Sequence, residues 1–215
     1  MKIGVIAGTP VDTRMGMEYV ERYGHCAIGR ASSPSPEIQL QMQRLHPQEL
    51  TKQMISLCNE MIAEGAEGIY VNCNSMTAAV DMRQVRAQVQ TDKLVTPFDI
   101  YKECAGSYQR LGILAVSGQS LAAIEQVIAE ENAACMTFGA GLPFLAIAIE
   151  QKISPAEIIK QQGLAELLTC FQLLRMDALI LGCTHFPYIA EELAKILPLP
   201  IIDPNERMLS MLCEM

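Results

Sequence analysis

Gly68-Ile69-Tyr70-Val71-Asn72-Cys73-Asn74-Ser75 has a counterpart in Ala178-Leu179-Ile180-Leu181-Gly182-Cys183-Thr184-His185: an apolar run, a cysteine, then residues of helix-capping type. Short apolar runs bounded by small and polar residues read as buried strands. Toward the N-terminus, Lys2-Ile3-Gly4-Val5-Ile6-Ala7 matches Arg110-Leu111-Gly112-Ile113-Leu114-Ala115. Gly4 lies 69 positions before Cys73, and Gly112 lies 71 before Cys183. Toward the C-terminus, each half closes on a short strand preceded or interrupted by proline, Val95-Thr96-Pro97-Phe98-Asp99 and Pro200-Ile201-Ile202-Asp203. Two independent features thus recur at offsets of 108 and 110, which points to an internal duplication.

The segments between these runs complete an alternation. Weaker strand character lies over 25–30, and 94–98 and 199–202 read as strands. Helices are expected over 47–64, 75–89, 121–129, 144–151, 155–174 and 188–196, with a last one at the C-terminus. In the first of them Leu50, Met54, Leu57, Met61 and Ile62 share a face, and Gly65 closes it. Strands alternating with helices imply parallel sheets with helical crossovers. The expected fold is α/β: two similar domains with parallel sheets, 1–108 and 109–215, related by a pseudo-twofold axis. The site is expected at the domain interface, and the terminal helices could cross over.

Composition removes several function classes. Half of the 215 residues are hydrophobic and 19% are charged, which excludes a disordered chain. Sixteen basic against 24 acidic side chains give a net charge of −8 with no basic run, which argues against nucleic acid or an anionic membrane as partner. Neither a secretory signal nor a run of ~20 apolar residues is present, so the expected location is cytoplasmic. The eight cysteines, at 26, 58, 73, 104, 135, 170, 183 and 213, contain no CxxC or CxxH pair. Zinc sites and disulfide frameworks need such clustering, so no metal is expected and most thiols read as small buried hydrophobes. No GxGxxG or GK[ST] occurs, which leaves no dinucleotide fingerprint and no P-loop.

Cys73 and Cys183 depart from the buried-thiol default because each follows a buried strand and precedes a helix. Ligands of open parallel sheets bind at the carboxyl ends of strands. Helix N-termini there favour anions and lower a thiol's pKa. Asn74, Ser75 and Thr184 are capping residues that also donate hydrogen bonds. Thr9 follows the first strand, and Ser117, Gly118 and Ser120 follow its counterpart, where hydroxyls could hold a carboxylate or simply cap helices. Two thiols on opposite sides of one carbon are what inversion of a stereocentre requires.

The segment 71–77, Val-Asn-Cys-Asn-Ser-Met-Thr, resembles the first catalytic cysteine motif of the aspartate/glutamate racemase superfamily. The segment 181–187, Leu-Gly-Cys-Thr-His-Phe-Pro, is similar to its second. The resemblance implies two α/β domains and racemisation of an amino acid without pyridoxal phosphate or metal. It implies Cys73 and Cys183 as proton carriers, Asn74, Ser75 and Thr184 as substrate contacts, His185 as an assisting group, and a homodimer. Ala7-Gly8-Thr9 departs from the Asp-Ser-Gly of glutamate racemases and only partly echoes the Gly-Gly-Met-Gly-Pro of aspartate racemases, so the carboxylate expected beside the first cysteine is missing there.

The expected activity is inversion of an acidic amino acid, aspartate or glutamate. Alternatives are hydantoin racemisation, isomerisation or decarboxylation of a small diacid, and a non-catalytic sensor of an acidic amino acid. His25 and His46 lack the context of His185. Arg14 and Arg30 lie near strand ends, where a distal carboxylate could pair with them, but read more simply as solvated.

Overall fold

A computed structural model describes residues 1–215. The chain divides into two units: Met1–Ile100 with Asn205–Met215, and Tyr101–Pro204. The first begins with β1 (Lys2–Ala7), α1 (Pro10–Arg22), β2 (Cys26–Ala31), α2 (Pro36–Leu45) and α3 (Pro47–Ala63). It continues with β3 (Gly68–Val71), α4 (Asn74–Ala79), α5 (Met82–Gln88), β4 (Leu94–Val95) and the start of α6 (Pro97–Ala105). The second contains β5 (Arg110–Ala115), α7 (Gly118–Glu131), β6 (Met136–Gly141), α8 (Pro143–Glu150), α9 (Pro155–Gln161) and α10 (Leu164–Leu173). It closes with β7 (Ala178–Gly182), a 3₁₀ turn (Phe186–Ile189), α11 (Ala190–Ile196) and β8 (Ile201–Ile202). The last helix, α12 (Pro204–Glu214), belongs almost wholly to the first unit.

Each unit holds one four-stranded parallel sheet, ordered β2-β1-β3-β4 and β6-β5-β7-β8. The register repeats with the order: Ile3 pairs with Gly68 as Leu111 pairs with Ala178, and Gly4 with Ile69 as Gly112 with Leu179. The expected α/β duplication is therefore present strand by strand. In both sheets the chain leaves the first strand in one direction and returns on its other side. The gap between β1 and β3, and between β5 and β7, is thus a topological switch point, where ligands of such sheets bind.

β3 and β7 are buried along their whole length, as strands covered on both faces must be. Leu50, Met54, Cys58 and Met61 of α3 pack on the first sheet with Ile69 and Val71. Burying each of these larger side chains stabilises the unit by about 1.5–3 kcal/mol. Cys58 takes the place expected for Leu57, which is half-buried. In the second unit Leu145, Ile158, Leu168 and Phe171 pack with Leu179 and Leu181.

Several boundaries differ from the sequence reading, each for a local reason. The helix expected over 75–89 is two helices, because Val80 is extended and Asp81 caps a new start, accepting from Arg83 N–H and Gln84 N–H at 3.0 Å each. The segment 155–174 breaks at Gly163, whose φ of 61° lies in the left-handed region. Pro97 opens a helix instead of interrupting a strand, and the Asp99 carboxylate accepts from the Thr96 N–H at 2.8 Å. No helix is long and apolar enough to cross a membrane.

Candidate active site

In the first unit, β3 ends at Val71 and Cys73 caps the N-terminus of α4 with extended backbone. Its sulfur accepts from the Met76 N–H at 3.4 Å and lies 3.5 Å from Ser75 Oγ. The Gly8 N–H, from the end of β1, also faces it. The thiol is 5% exposed. Burial, reinforced by the negative charge of Asp12, pushes it up to about 11 against the lowering by Ser75, Met76 and Gly8. The sequence argument, that a helix start makes this thiol more acidic, is thus overturned: α4 has only six residues, and desolvation outweighs the donors it offers.

Asp12 was not singled out by sequence reasoning. It stands buried in the first turn of α1, where Thr9 caps the helix. Thr9 Oγ1 donates to the Asp12 carboxylate at 3.0 Å and accepts from the Asp12 N–H at 3.3 Å. The Asn72 side-chain amide donates to the Asp12 backbone carbonyl at 2.9 Å, which ties the start of α1 to the residue before Cys73. Thr9 therefore holds a carboxylate of its own chain. Asn74 is buried at the first position of α4, and Ser75 is half-buried.

In the second unit β7 ends at Gly182. A Cβ there would lie 2.7 Å from Ile124 Cδ1 and 2.9 Å from the Leu114 carbonyl oxygen, so the position before Cys183 requires glycine. Cys183 is 6% exposed, with Sγ 3.6 Å from His185 Nδ1. His185, equally buried, places Nε2 3.1 Å from Glu150 Oε1 at the end of α8. An imidazole whose Nε2–H donates to a carboxylate presents an unprotonated Nδ1 to the sulfur, where it can take the thiol's proton. Glu150 is not among the residues that sequence reasoning singles out.

The chain after Cys183 does not enter an α-helix directly. The Phe186 N–H donates to the Cys183 carbonyl oxygen at 3.1 Å, a 3₁₀ turn follows, and α11 starts only at Ala190. The expected helix N-terminus is therefore a single tight turn, and the polar support of this thiol comes from His185. Thr184 is half-buried between the two. Ser117 follows β5, the neighbour of β7, and caps α7 by accepting from the Ser120 N–H at 3.1 Å.

The remaining candidates lie elsewhere. His25 is 3.4 Å from the Met1 amine and 3.7 Å from Cys213 Sγ. His46 stands before α3, 3.8 Å from Glu49. Arg14 is exposed, and Arg30 pairs with Glu64. No group of three or more His, Cys, Asp or Glu side chains converges as metal ligands would.

No family model matches the chain. Over 164 residues it is 30% identical to the glutamate racemase of Campylobacter concisus, covering 74% of this chain and 62% of that relative. Its fold superposes on the glutamate racemase of Francisella tularensis, solved in complex with D-glutamate, with a TM-score of 0.75, 19% identity, and coverage of 99% of this chain and 80% of that one. On an aspartate racemase homologue from Pyrococcus horikoshii the TM-score is 0.70 at 16% identity, covering 99% and 97%. In sequence the chain is similar to glutamate racemases, and its fold is that of glutamate racemase and aspartate racemase-like structures.

It spans about three fifths of the length of the glutamate racemases it matches in sequence. Cys73 and Cys183 stand at equivalent strand ends of its two sheets. Its departure at Ala7 is now specific. The carboxylate whose charge reaches Cys73 is that of Asp12, in the first turn of α1.

Proposed function

We propose that the protein interconverts the enantiomers of an acidic amino acid, aspartate or glutamate, using Cys73 and Cys183 as two opposed proton carriers. The observation that carries this reading is the Cys183–His185–Glu150 array, a thiol, an imidazole and a carboxylate in line. At the equivalent strand end, Cys73 is a thiol held neutral by burial. Two acid–base groups with unlike environments suit opposite roles.

In one direction of reaction Cys183 acts as the thiolate, passing its proton to His185 Nδ1, and Cys73 acts as the thiol. The thiolate removes the substrate's α-proton, the C–H bond breaks, and its electron pair spreads into the α-carboxylate. The Cys73 S–H delivers its proton to the opposite face, leaving a thiolate there. Transfer of the imidazolium proton to Cys73 through solvent, and of the Cys183 proton to His185, restores the starting state. The opposite enantiomer runs the steps in reverse. Asn74, Ser75 and Thr184 offer donors to the carboxylate as charge develops on it, a contribution that commonly dominates such barriers. Ser117 extends this set, and Thr9 contributes through Asp12. The same reading includes action without pyridoxal phosphate or metal, as a homodimer in the cytoplasm.

A panel of single L- and D-amino acids, followed by chiral chromatography, tests it. Aspartate or glutamate is expected to approach a racemic mixture from either side. Cys73→Ser and Cys183→Ser are each expected to lower the rate by on the order of 10²–10⁴. Saturable binding of an acidic amino acid without loss of optical purity would contradict the proposal and indicate a sensor.

A further inference from the structure

Helix α2 is built inside out. Gln39 and Gln43, four residues apart and therefore on one face, are 5% and 6% exposed, while Ile38, Leu40 and Leu45 are 43%, 41% and 68% exposed. A buried amide is unfavourable unless its donors and acceptors are met, so an inward glutamine pair needs a reason. Gln43 supplies one: its Nε2 donates to Ser75 Oγ at 2.9 Å, and that oxygen lies 3.5 Å from Cys73 Sγ. Because the serine oxygen receives the amide N–H, its own proton is available to the sulfur.

Gln39 reaches the same place from the next turn. Its Oε1 accepts from Ser32 Oγ at 2.9 Å and Ser33 Oγ at 2.7 Å, and the backbone of those serines is bonded to the Ala7 and Gly8 carbonyls. Its Nε2 is buried with no hydrogen-bond partner. What stands against it is Gly8: a Cβ there would lie 3.1 Å from Gln39 Cγ, Cδ and Nε2. The same glycine's N–H faces Cys73. One residue without a side chain therefore separates an amide lacking an acceptor from the thiol.

We infer that the inner face of α2 belongs to the Cys73 site: Gln43 positions the Ser75 hydroxyl toward the thiol, and Gln39 is a specificity-determining donor to an oxygen of the bound substrate. This rests on the racemase reading and adds to it the neutral donor that reads the ligand's oxygens. Substrates bearing a side-chain carboxylate or carbonyl oxygen satisfy Gln39, and apolar amino acids, whose one carboxylate is that on the α-carbon, leave it unmet.

The test uses the intact chain with D-glutamate and D-aspartate as probes. Gln39→Leu is expected to raise KM about tenfold or more with kcat changed little, since a buried donor to a charged oxygen is lost. Gln43→Leu is read at the thiol itself. Its iodoacetamide labelling of Cys73, followed by peptide mass spectrometry at a fixed mildly alkaline pH, is expected to slow about threefold, because a hydrogen bond to the thiolate form is weakened. A Gln39→Leu KM within twofold of wild type, or unchanged labelling in Gln43→Leu, would overturn the inference. A measurement free of folding effects accompanies these: in the ¹⁵N-labelled wild-type protein the Gln39 side-chain N–H resonances are expected to move on saturation with the probe that binds, while those of Gln161 stay fixed. Unmoved Gln39 resonances overturn the substrate-donor role. A wild-type protein that racemises neither probe sinks the racemase reading itself, which is a different result.

Discussion

His185 Nε2 lies 3.1 Å from Glu150 Oε1, which joins the end of α8 to the residue two places after Cys183. The contact fixes which nitrogen of the ring faces the sulfur. Glu150→Gln keeps the shape and removes the charge that supports the imidazolium. Racemisation is expected to fall by on the order of 10²-fold, with substrate binding changed far less. Iodoacetamide labelling of Cys183 in the same variant is expected to slow, and unchanged labelling and kcat would detach Glu150 from the chemistry.

Asp12 acts in the opposite sense on the other thiol. Its negative charge adds to burial in raising Cys73 to about 11, so Asp12→Asn is expected to make that thiol more acidic. Labelling of Cys73 at a fixed pH below its titration should quicken. The thiolate becomes a weaker base, so the direction of reaction in which Cys73 removes the α-proton should slow. Both effects are read from one preparation, by peptide mapping and by rates from each enantiomer.

Burial of thiols also sets an alkaline limit on stability. Cys58 is pushed from 9.0 to about 12 and Cys73 from 9.0 to about 11, both chiefly by desolvation. An acid whose folded value is raised contributes stability that is complete below its unfolded value and is lost as pH rises past it. Unfolding free energy is therefore expected to hold up to pH 9.0 and to fall above it, as far as pH 11 for Cys73 and 12 for Cys58. Cys58→Ala should be less stable at neutral pH by about 1–2 kcal/mol, yet lose less of its stability on going alkaline. Urea titrations across that range give both numbers.

Gly182→Ala places a methyl group against Ile124 and the Leu114 carbonyl oxygen, a backbone atom that cannot swing aside. A loss of about 1–3 kcal/mol in stability is expected, with displacement of Cys183 and a fall in activity larger than the stability loss alone explains. Thermal unfolding beside the racemisation rate checks it.

The strands that carry the cysteines were legible because burial on both faces writes itself as an unbroken apolar run, as in Ile69-Tyr70-Val71 and Leu179-Ile180-Leu181. The edge strands β2 and β6, only half-buried and rich in small residues, left a weak trace or none. Helix starts were underread: seven of the twelve helices open on proline, and Thr9-Pro10 and Ser35-Pro36 are each a capping residue followed by that proline. Within the candidate site, Cys73 with Ser75 and Cys183 with His185 are neighbours in sequence, so one segment is enough to read each pair. Glu150 meets His185 across 35 residues, Asn72 meets Asp12 across 60, and Gln43 meets Ser75 across 32. Such contacts are made by packing after the chain has turned back, and no spacing rule within one segment encodes them.

The division of labour between two thiols is tested most directly by following deuterium from solvent. Starting from one pure enantiomer in D₂O and stopping at low conversion, NMR of the separated enantiomers reports where the label sits. With one thiol removing the proton and the other supplying a new one, the product should be fully deuterated at the α-carbon while recovered substrate keeps its hydrogen. Deuterium appearing equally in substrate and product from the earliest times would mean a single group serves both faces, and would contradict the paired roles of Cys73 and Cys183.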